Sequence, residues 1–516
     1  MNIIEGERLL QEIPQVTVPQ LIRESAREFA ERVAVIDGVS GRSLTYRELD
    51  HAIGRFAAGI AALGFKPGDV LLLFMPNQPE WLIAALGAMS AGGIVSGANF
   101  LYGPAELSRQ MRDAGARFVM TAPALLPIVR EAAAALEGIT FISTVEAPQT
   151  VSLASVLACD EAEPTLAPDP GACAALPYSS GTSGLSKGVI LTHRNLVSNI
   201  AQVRQVREQS ETVVFLAFLP MFHIYGFTSS LYGLTIGGVA VTLPRFEAQP
   251  FLKAIQDHRV THLSLVPPIV QFLAAHPLVD AHDLSSLKNI NSGAAPLGIP
   301  LQDLASSRLK CDVDQGFGMT ESSCAVAVTY PGRRRLGASG QLLPGTQARV
   351  VDVDTQSDAE SGGSGEIWFR GPQAFKGYLN NPAMTAETIT PDGWVRTGDI
   401  GHFDADGYLF ITDRLKELIK VKGFQVAPAE LEALLLTHPA VADAAVIGRA
   451  DDRAGEIPVA YLVTRAPVDR EAVKQWVAEQ VIDCKRLGDV VFCEAIPKSP
   501  TGKILRRELR LQDARR

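Results

Sequence analysis

From Tyr178 the chain reads Tyr-Ser-Ser-Gly-Thr-Ser-Gly-Leu-Ser-Lys-Gly-Val. These twelve residues hold three glycines, five serine or threonine hydroxyls and one lysine. Apolar residues 174–177 precede the segment and apolar residues 189–191 follow it, so it reads as strand, loop, strand. Glycines let consecutive backbone N–H groups turn toward one point, and such a concavity binds anions. The hydroxyls of Ser179, Ser180, Thr182 and Ser183 add donors around Gly181, and Lys187 adds a positive charge. The fitting guest is a polyphosphate. A flexible Ser/Gly linker fits poorly, because hydrophobic strands flank the loop and a lysine sits inside it. The Walker pattern fails too: no Gly-x-x-x-x-Gly-Lys-Ser/Thr is present, and no helical pattern opens after Lys187.

A chain of 516 residues is too long for a single core, so two or more domains are expected. A composition of 47% hydrophobic and 20% charged residues is that of a soluble globular protein, and the net charge of -9 argues against a general nucleic-acid binder. The six cysteines are widely spaced and form no Cys-x-x-Cys pair, which excludes a disulfide framework or a zinc site and suits a reducing compartment. The N-terminus has no signal-peptide pattern and the C-terminus no peroxisomal address, so the cytoplasm is expected. Residues 81–98 approach membrane-spanning length, but glycines and serines interrupt them, and they read as a buried helix followed by a strand.

The fold class is legible in the order of patterns. Thr45-x-x-Glu48 is a capping box, after which Leu49, Ile53, Phe56, Ile60 and Leu63 recur at helical spacing and Gly64 closes the element. Residues 70–75 form a continuous apolar strand, as in a sheet covered on both faces. A helix from about Glu80, a strand near 93–95, a helix after Pro104 and a strand at 117–121 continue the rhythm of a doubly wound α/β domain. Further strands are expected near 213–219 and 238–243, and shorter, turn-rich ones near 349–353 and 365–370 suggest a small β subdomain. A boundary falls near Asp413. Beyond it a helix over 428–435, strands near 444–448 and 459–463, a helix near 470–480 and a basic tail make a small α+β domain.

Six more segments carry chemistry. Leu219-Pro-Met-Phe-His-Ile-Tyr-Gly226 sets a histidine in an apolar strand-end turn, where a core histidine is the plain alternative. Ser292-Gly-Ala-Ala-Pro-Leu-Gly298 is a small-residue turn whose flat surface suits a planar ring, or simply tight packing. In Gln315-Gly-Phe-Gly-Met-Thr-Glu-Ser322, Phe317 offers a stacking face, Thr320 a phosphate donor and Glu321 a hard oxygen ligand suited to Mg²⁺. Trp394-Val-Arg-Thr-Gly-Asp399 ends in an aspartate, by itself an ordinary turn residue. In the stretch from Asp413 to Gln425, Arg414, Lys416, Lys420 and Lys422 read as converging on a Gly423 turn, which suits phosphates. Ser499-Pro-Thr-Gly-Lys-Ile-Leu-Arg506 sets Lys503 after a tight turn.

In order and approximate spacing, from 178 to 503, these motifs resemble the adenylate-forming superfamily of acyl-CoA synthetases, luciferases and peptide-synthetase adenylation domains. Within it, Pro220-Met-Phe-His-Ile-Tyr, Ser292-Gly-Ala-Ala-Pro-Leu-Gly and the stretch from Lys416 to Glu430 are similar to 4-coumarate:CoA ligases. The resemblance implies an AMP-binding N-terminal domain, 1–414, and a mobile C-terminal domain, 415–516, that carries the catalytic lysine. It implies an ATP-dependent acid–thiol ligase that forms acyl-AMP and pyrophosphate, then a thioester with CoA, with Mg²⁺ as the metal. Its implied catalytic set is Lys503, His223, Thr182, Glu321 and Arg414, with Thr182 and Glu321 on the metal.

For ATP and AMP the resemblance implies residues 179–183 and Lys187, with Ala295 beside adenine. It adds Gln315, Gly316, Phe317 and Thr320, Asp399 on the ribose hydroxyls, and Arg414, Lys416, Gln425 and Lys503. Along the acyl group it implies His223, Tyr225, Ser229, Asn291, Gly293, Ala294, Gly318, Met319, Cys324 and Ala325. For CoA it implies Lys420, Lys422, Gly423 and Phe424, with Arg245 added from its Pro-Arg-Phe turn. Asn291 stands where the plant enzymes have lysine, and Cys324 and Ala325 where they have proline and valine. The resemblance implies an aryl acid such as 4-coumarate or cinnamate, and because those differences sit where acyl specificity is set, benzoate or a medium-chain fatty acid stays open. A luciferase-like or carrier-loading adenylating enzyme remains the alternative in another class. The expected partners are a carboxylic acid, ATP and CoA, with no nucleic acid, no integral membrane segment, and a monomer or homodimer.

Overall fold

The computed structural model describes residues 2–179, 186–207, 212–422, 424–451, 453–499 and 502–515. The capping box at residues 45–48 closes in both directions, Glu48 N–H donating to Thr45 Oγ1 and Thr45 N–H to the Glu48 carboxylate at 2.7 Å. It starts the helix Tyr46–Ala62, in which Leu49, Ile53, Phe56 and Ile60 are buried. Leu63 departs from the expected stripe and is 38% exposed, because the helix ends at Ala62 and Gly64, at φ +89°, turns the chain away. This helix packs on Pro79–Ser90, whose residues from Pro79 to Met89 are buried apart from Glu80. The apolar run from Trp81 is thus an internal helix followed by the strand Ile94–Gly97. Among the described residues no helix is long and apolar enough to cross a membrane.

Two large sheets carry the α/β rhythm. In the first, Val70–Phe74, Ile94–Gly97, Ala116–Thr121 and Thr140–Ser143 run parallel, and Lys187–Thr192 joins antiparallel beside Cys173–Ala175. In the second, Val33–Asp37, Val239–Thr242, Val214–Ala217, His262–Leu265, Asn289–Ser292 and Asp312–Phe317 run parallel. Parallel strands buried on both faces need apolar side chains, and Val70–Phe74 is buried throughout. The β subdomain is an antiparallel sheet ordered Ile4–Glu5, Gln347–Val351, Gly365–Arg370, Val395–Phe403, Leu409–Arg414.

The smaller C-terminal domain is α+β. Its sheet joins Ile419–Val421, Phe424–Val426, Val441–Asp451, Gly455–Thr464 and Asp489–Phe492, covered by the helices Pro428–Leu435, Arg470–Ala478 and Arg506–Asp513. It has its own cores, one around Val446, Leu462 and Val477 and one around Ile447, Tyr461 and Leu509. In the second large sheet, Val214–Ala217, Asn289–Ser292 and Asp312–Phe317 all end, at their carboxyl ends, in segments that the sequence marks as chemical. In open α/β sheets ligands bind outside those ends.

Candidate active site

The small-residue turn is held from below. The buried Gln315 side chain accepts from Leu297 N–H at 2.8 Å and donates to the Leu297 carbonyl at 3.1 Å. Gln315 therefore positions the turn that presents Ala294 and Ala295 on the surface. Phe317 and Thr320 are buried below it. Gly293 leaves room for the Tyr225 ring, which a Cβ would approach to 3.1 Å.

On the phosphate side, Ser179 Oγ donates to Glu321 Oε1 at 3.3 Å, and Tyr378 OH donates to the same oxygen at 2.8 Å. Lys187 lies over the Tyr378 ring, 5.4 Å from its centre, and touches Met384 Sδ. Burial lowers the Lys187 pKa, as does the nearby Lys416, while Glu321 opposes them. Tyr378 is absent from the sequence reading. No pattern marks it, because only the pairing of Gly377–Tyr378 with Val189–Ile190 brings it to the loop. Ser180, Gly181, Thr182 and Ser183 lie outside the described residues, as does Gly423.

The cluster around Lys503 draws on distant parts of the chain. Asp399 and Arg414 face each other across adjacent strands, and Arg414 Nε reaches Asp399 Oδ1 at 3.1 Å. Burial raises the Asp399 carboxyl above its usual range, against the opposing charges of Arg414 and Lys503. The Lys503 turn is closed by Gly502 N–H to the Ser499 carbonyl at 2.8 Å. Its Gly502 sits against Val266 and Pro268, which a Cβ would meet at 3.2 Å. Desolvation, then repulsion from Arg414, lowers Lys503 to about 8, while Asp399 and Glu417 oppose the shift. His223 caps the helix Ile224–Thr235, its Nδ1 accepting from Tyr225 N–H at 3.3 Å. Burial and the Lys503 charge hold His223 at about 4, so its imidazole is neutral at pH 7.

Beside this cluster lies a cavity of about 460 Å³, lined by Tyr225, Ser229, Asn291, Cys324 and Ala325 among others. That volume suits a small organic ligand. His223, Gly293, Ala294, Gly318 and Met319, expected along the acyl group, are not part of its wall. Gly318 serves a different purpose: a Cβ there would stand 1.7 Å from the Cys324 carbonyl oxygen. That close approach holds Ser323 and Cys324 at φ +57° and +137°, sparsely populated values that side chains rarely adopt. Met319 instead packs on the main core. The cavity also contains Arg207, Asn289 and Asp314, for which the sequence reading has no signal.

The expected convergence of Arg414, Lys416, Lys420 and Lys422 is not found in this arrangement. Arg414 is at Asp399, Lys416 lies near Lys187, and Lys422, at φ +50°, pairs with Asp483 at 3.6 Å. The reason is the hairpin Ile419–Val421 with Phe424–Val426, which carries Lys420, Lys422, Phe424 and Gln425 on the C-terminal sheet. Phe424 is 62% exposed there. Arg245, also exposed, is held by Glu247 at 2.7 Å. Among the described residues no group of three or more His, Cys, Asp or Glu could hold a metal ion.

Residues 22–379 match the family model described as AMP-binding enzyme, and residues 430–503 match AMP-binding enzyme C-terminal domain. The chain is 42% identical to 4-coumarate–CoA ligase 5 of Oryza sativa subsp. japonica, over 96% of each chain. It is 40% identical to 4-coumarate–CoA ligase 2 of Petroselinum crispum, over 97% of this chain and 96% of that one. Among solved structures, the anthranilate CoA ligase AuaEII in complex with anthranoyl-AMP superposes with a TM-score of 0.90 at 26% identity, covering 97% of this chain and 98% of that one. ATP-bound MatB from Rhodopseudomonas palustris gives a TM-score of 0.88 at 29% identity, covering 96% and 98%.

Proposed function

Because this chain belongs to the AMP-binding enzyme family, we propose that it is an ATP-dependent acid–thiol ligase working through an acyl adenylate. The observation that carries the mechanism is the seat of Lys503: a lysine of the C-terminal domain close enough to Asp399, Arg414 and His223 for its charge to act on theirs, its turn packed on Val266 and Pro268 of the large domain. A carboxylate oxygen attacks the α-phosphorus of ATP, and the bond to pyrophosphate breaks. Two anions must meet, so fixed positive charge has to offset their repulsion. Lys503 lies between carboxylate and α-phosphate in this reading. Asp399 accepts from the ribose hydroxyls, Ala295 and Phe317 flank adenine, and the 178–189 loop with Lys187 cradles the leaving pyrophosphate. His223, neutral, orients the acid without adding charge.

Mg²⁺ fits the donor set. Glu321 is a buried carboxylate beside the phosphate loop, with Oε1 fixed by Ser179 and Tyr378. Mg²⁺ is commonly held by one or two carboxylates plus substrate phosphates and water. Thr182 would be its second protein ligand, and the ion would supply charge neutralisation on the phosphates.

In the second step the CoA sulfur attacks the acyl carbon and AMP leaves. Lys503 cannot occupy that approach at the same time, so the domain 415–516 turns about a hinge at Lys416 and withdraws it. Two observations support the turn. Lys416 stands two residues past the last strand of the β subdomain, Leu409–Arg414, and the exposed Phe424 lies on a hairpin with Lys420 and Lys422 that a rotation presents to CoA. The acid is an aryl acid of the 4-coumarate kind. The test is pyrophosphate release and acyl-AMP trapping over a panel of carboxylic acids. Lys503→Ala should lose adenylation by about 10²-fold or more, yet still convert supplied acyl-AMP with CoA. Equal loss in both half-reactions would refute the alternation.

A further inference from the structure

The floor of the acyl cavity is unusual for its position. It is the face of a parallel sheet, where both faces are normally apolar. Register places His262, Asn289 and Asp312 side by side on three neighbouring strands, and Ser264, Asn291 and Asp314 side by side one step further along. All six line the cavity. Arg207, at the end of the helix His193–Val206, reaches down onto this floor. Its guanidinium donates to Asn289 Oδ1 at 3.2 Å and to Asn291 Oδ1 at 2.7 Å, and lies 3.7 Å from Asp314 Oδ2. Asn291 Nδ2 in turn donates to the Tyr225 hydroxyl at 2.9 Å, and that hydroxyl donates to the Asn291 carbonyl at 2.8 Å. An unbroken line of donors and acceptors thus runs from the tyrosine beside the reacting end to a guanidinium. Beyond it the cavity reaches a surface mouth with Lys288, Asp312 and Arg334 on its rim.

We infer that this polar floor is a specificity subsite: it recognises an oxygen acceptor at the far end of an elongated acid, with Arg207 as the donor. The inference rests on the acyl-ligase reading and narrows its substrate class. Under a plain hydrocarbon chain the Arg207 N–H groups that the two asparagines do not take would be cut off from water with nothing to accept them. A distal hydroxyl, carbonyl or carboxylate instead meets the Arg207 N–H groups, of which a guanidinium has five and the two asparagines take two. Charge on the floor is balanced: Arg207 faces Asp314, whose carboxyl burial pushes upward while Arg207 and Asn289 pull it down. The rim adds Lys288 and Arg334 against Asp312. An added acceptor therefore meets net positive charge along the way, which a fatty acid does not use.

The experiment compares matched acids in pyrophosphate release: octanoate with 8-hydroxyoctanoate and suberate, and cinnamate with 4-coumarate and 4-carboxycinnamate. The wild-type enzyme should favour the acceptor-bearing member of a set by about 10- to 100-fold in kcat/KM, the worth of one hydrogen bond to a charged donor. Arg207→Met should erase the preference through KM of the acceptor-bearing acids, with kcat for octanoate and cinnamate retained. Because Arg207→Met leaves Asp314 buried without its cation, the double variant Arg207→Met/Asp314→Asn is measured beside it. A wild-type preference for the apolar parents, or an unchanged ratio in the folded double variant, overturns the inference. No acyl-AMP from any acid would instead sink the ligase reading itself.

Discussion

The amine of Lys503 titrates where an enzyme assay can see it. Loss of water lowers it to about 8, Arg414 pushes in the same direction, and Asp399 and Glu417 pull back. Adenylation needs the charged form, so raising the pH removes the group that joins the two anions. For a group at about 8, the charged fraction is about 91% at pH 7 and about 9% at pH 9, so kcat/KM for ATP in the adenylation half-reaction should fall roughly tenfold between them. In kcat the limb should move to higher pH, because bound phosphates favour the ammonium. Neighbouring charges give the sign of two further shifts. Arg414→Gln removes a repelling cation and should move the limb up. Asp399→Asn removes an attracting anion and should move it down. Lys503→Arg, charged throughout, should lose the limb altogether. The assay is pyrophosphate release at saturating acid, from about pH 6.5 to about pH 10, set against thioester formation from supplied acyl-AMP. An identical limb in both half-reactions, or one that survives in Lys503→Arg, refutes the assignment.

Three other perturbations follow from the geometry. Tyr378→Phe removes one of two hydrogen bonds that fix Glu321 Oε1; KM for ATP should rise about tenfold, with the KM for the acid unmoved. Gly318→Ala sets a methyl 1.7 Å from the Cys324 carbonyl oxygen, so residues 323–325 must shift. The KM for the acid should then rise by about tenfold or more, and unchanged steady-state kinetics would show that this wall is pliable. Arg506 makes paired 2.7 Å contacts with both oxygens of the buried Glu432. In urea unfolding Arg506→Met should cost about 3–5 kcal/mol by leaving that carboxylate unpaired, and Arg506→Met/Glu432→Leu should recover most of it.

The first half of the site was readable because its motifs are local. A Gly- and Ser-rich loop between two apolar runs already limits what the backbone can bind, and Glu321, Asp399 and Lys503 sit in short segments with their own turn chemistry. Helix Tyr46–Ala62 was equally legible, since a capping box and a period of 3.6 act within one turn of one another. The glycines expected along the acyl group are less legible, for the opposite reason. Gly318 looks like spare room in one dimension, whereas in the fold the space of its missing side chain is filled by the Cys324 carbonyl.

What sequence alone determined is therefore an anion-binding loop, a hard carboxylate and a lysine on a late turn, in an order that resembles the adenylate-forming enzymes. What only the tertiary structure decided is which side chains from distant segments stand together in the site. Tyr378 reaches Glu321 through a strand pairing across 189 positions, Val189 with Tyr378. Arg207 meets Asn289, Asn291 and Asp314 because parallel strands place residues far apart in the chain in one row. Register and packing set such neighbours, and neither leaves a period or a motif along the chain.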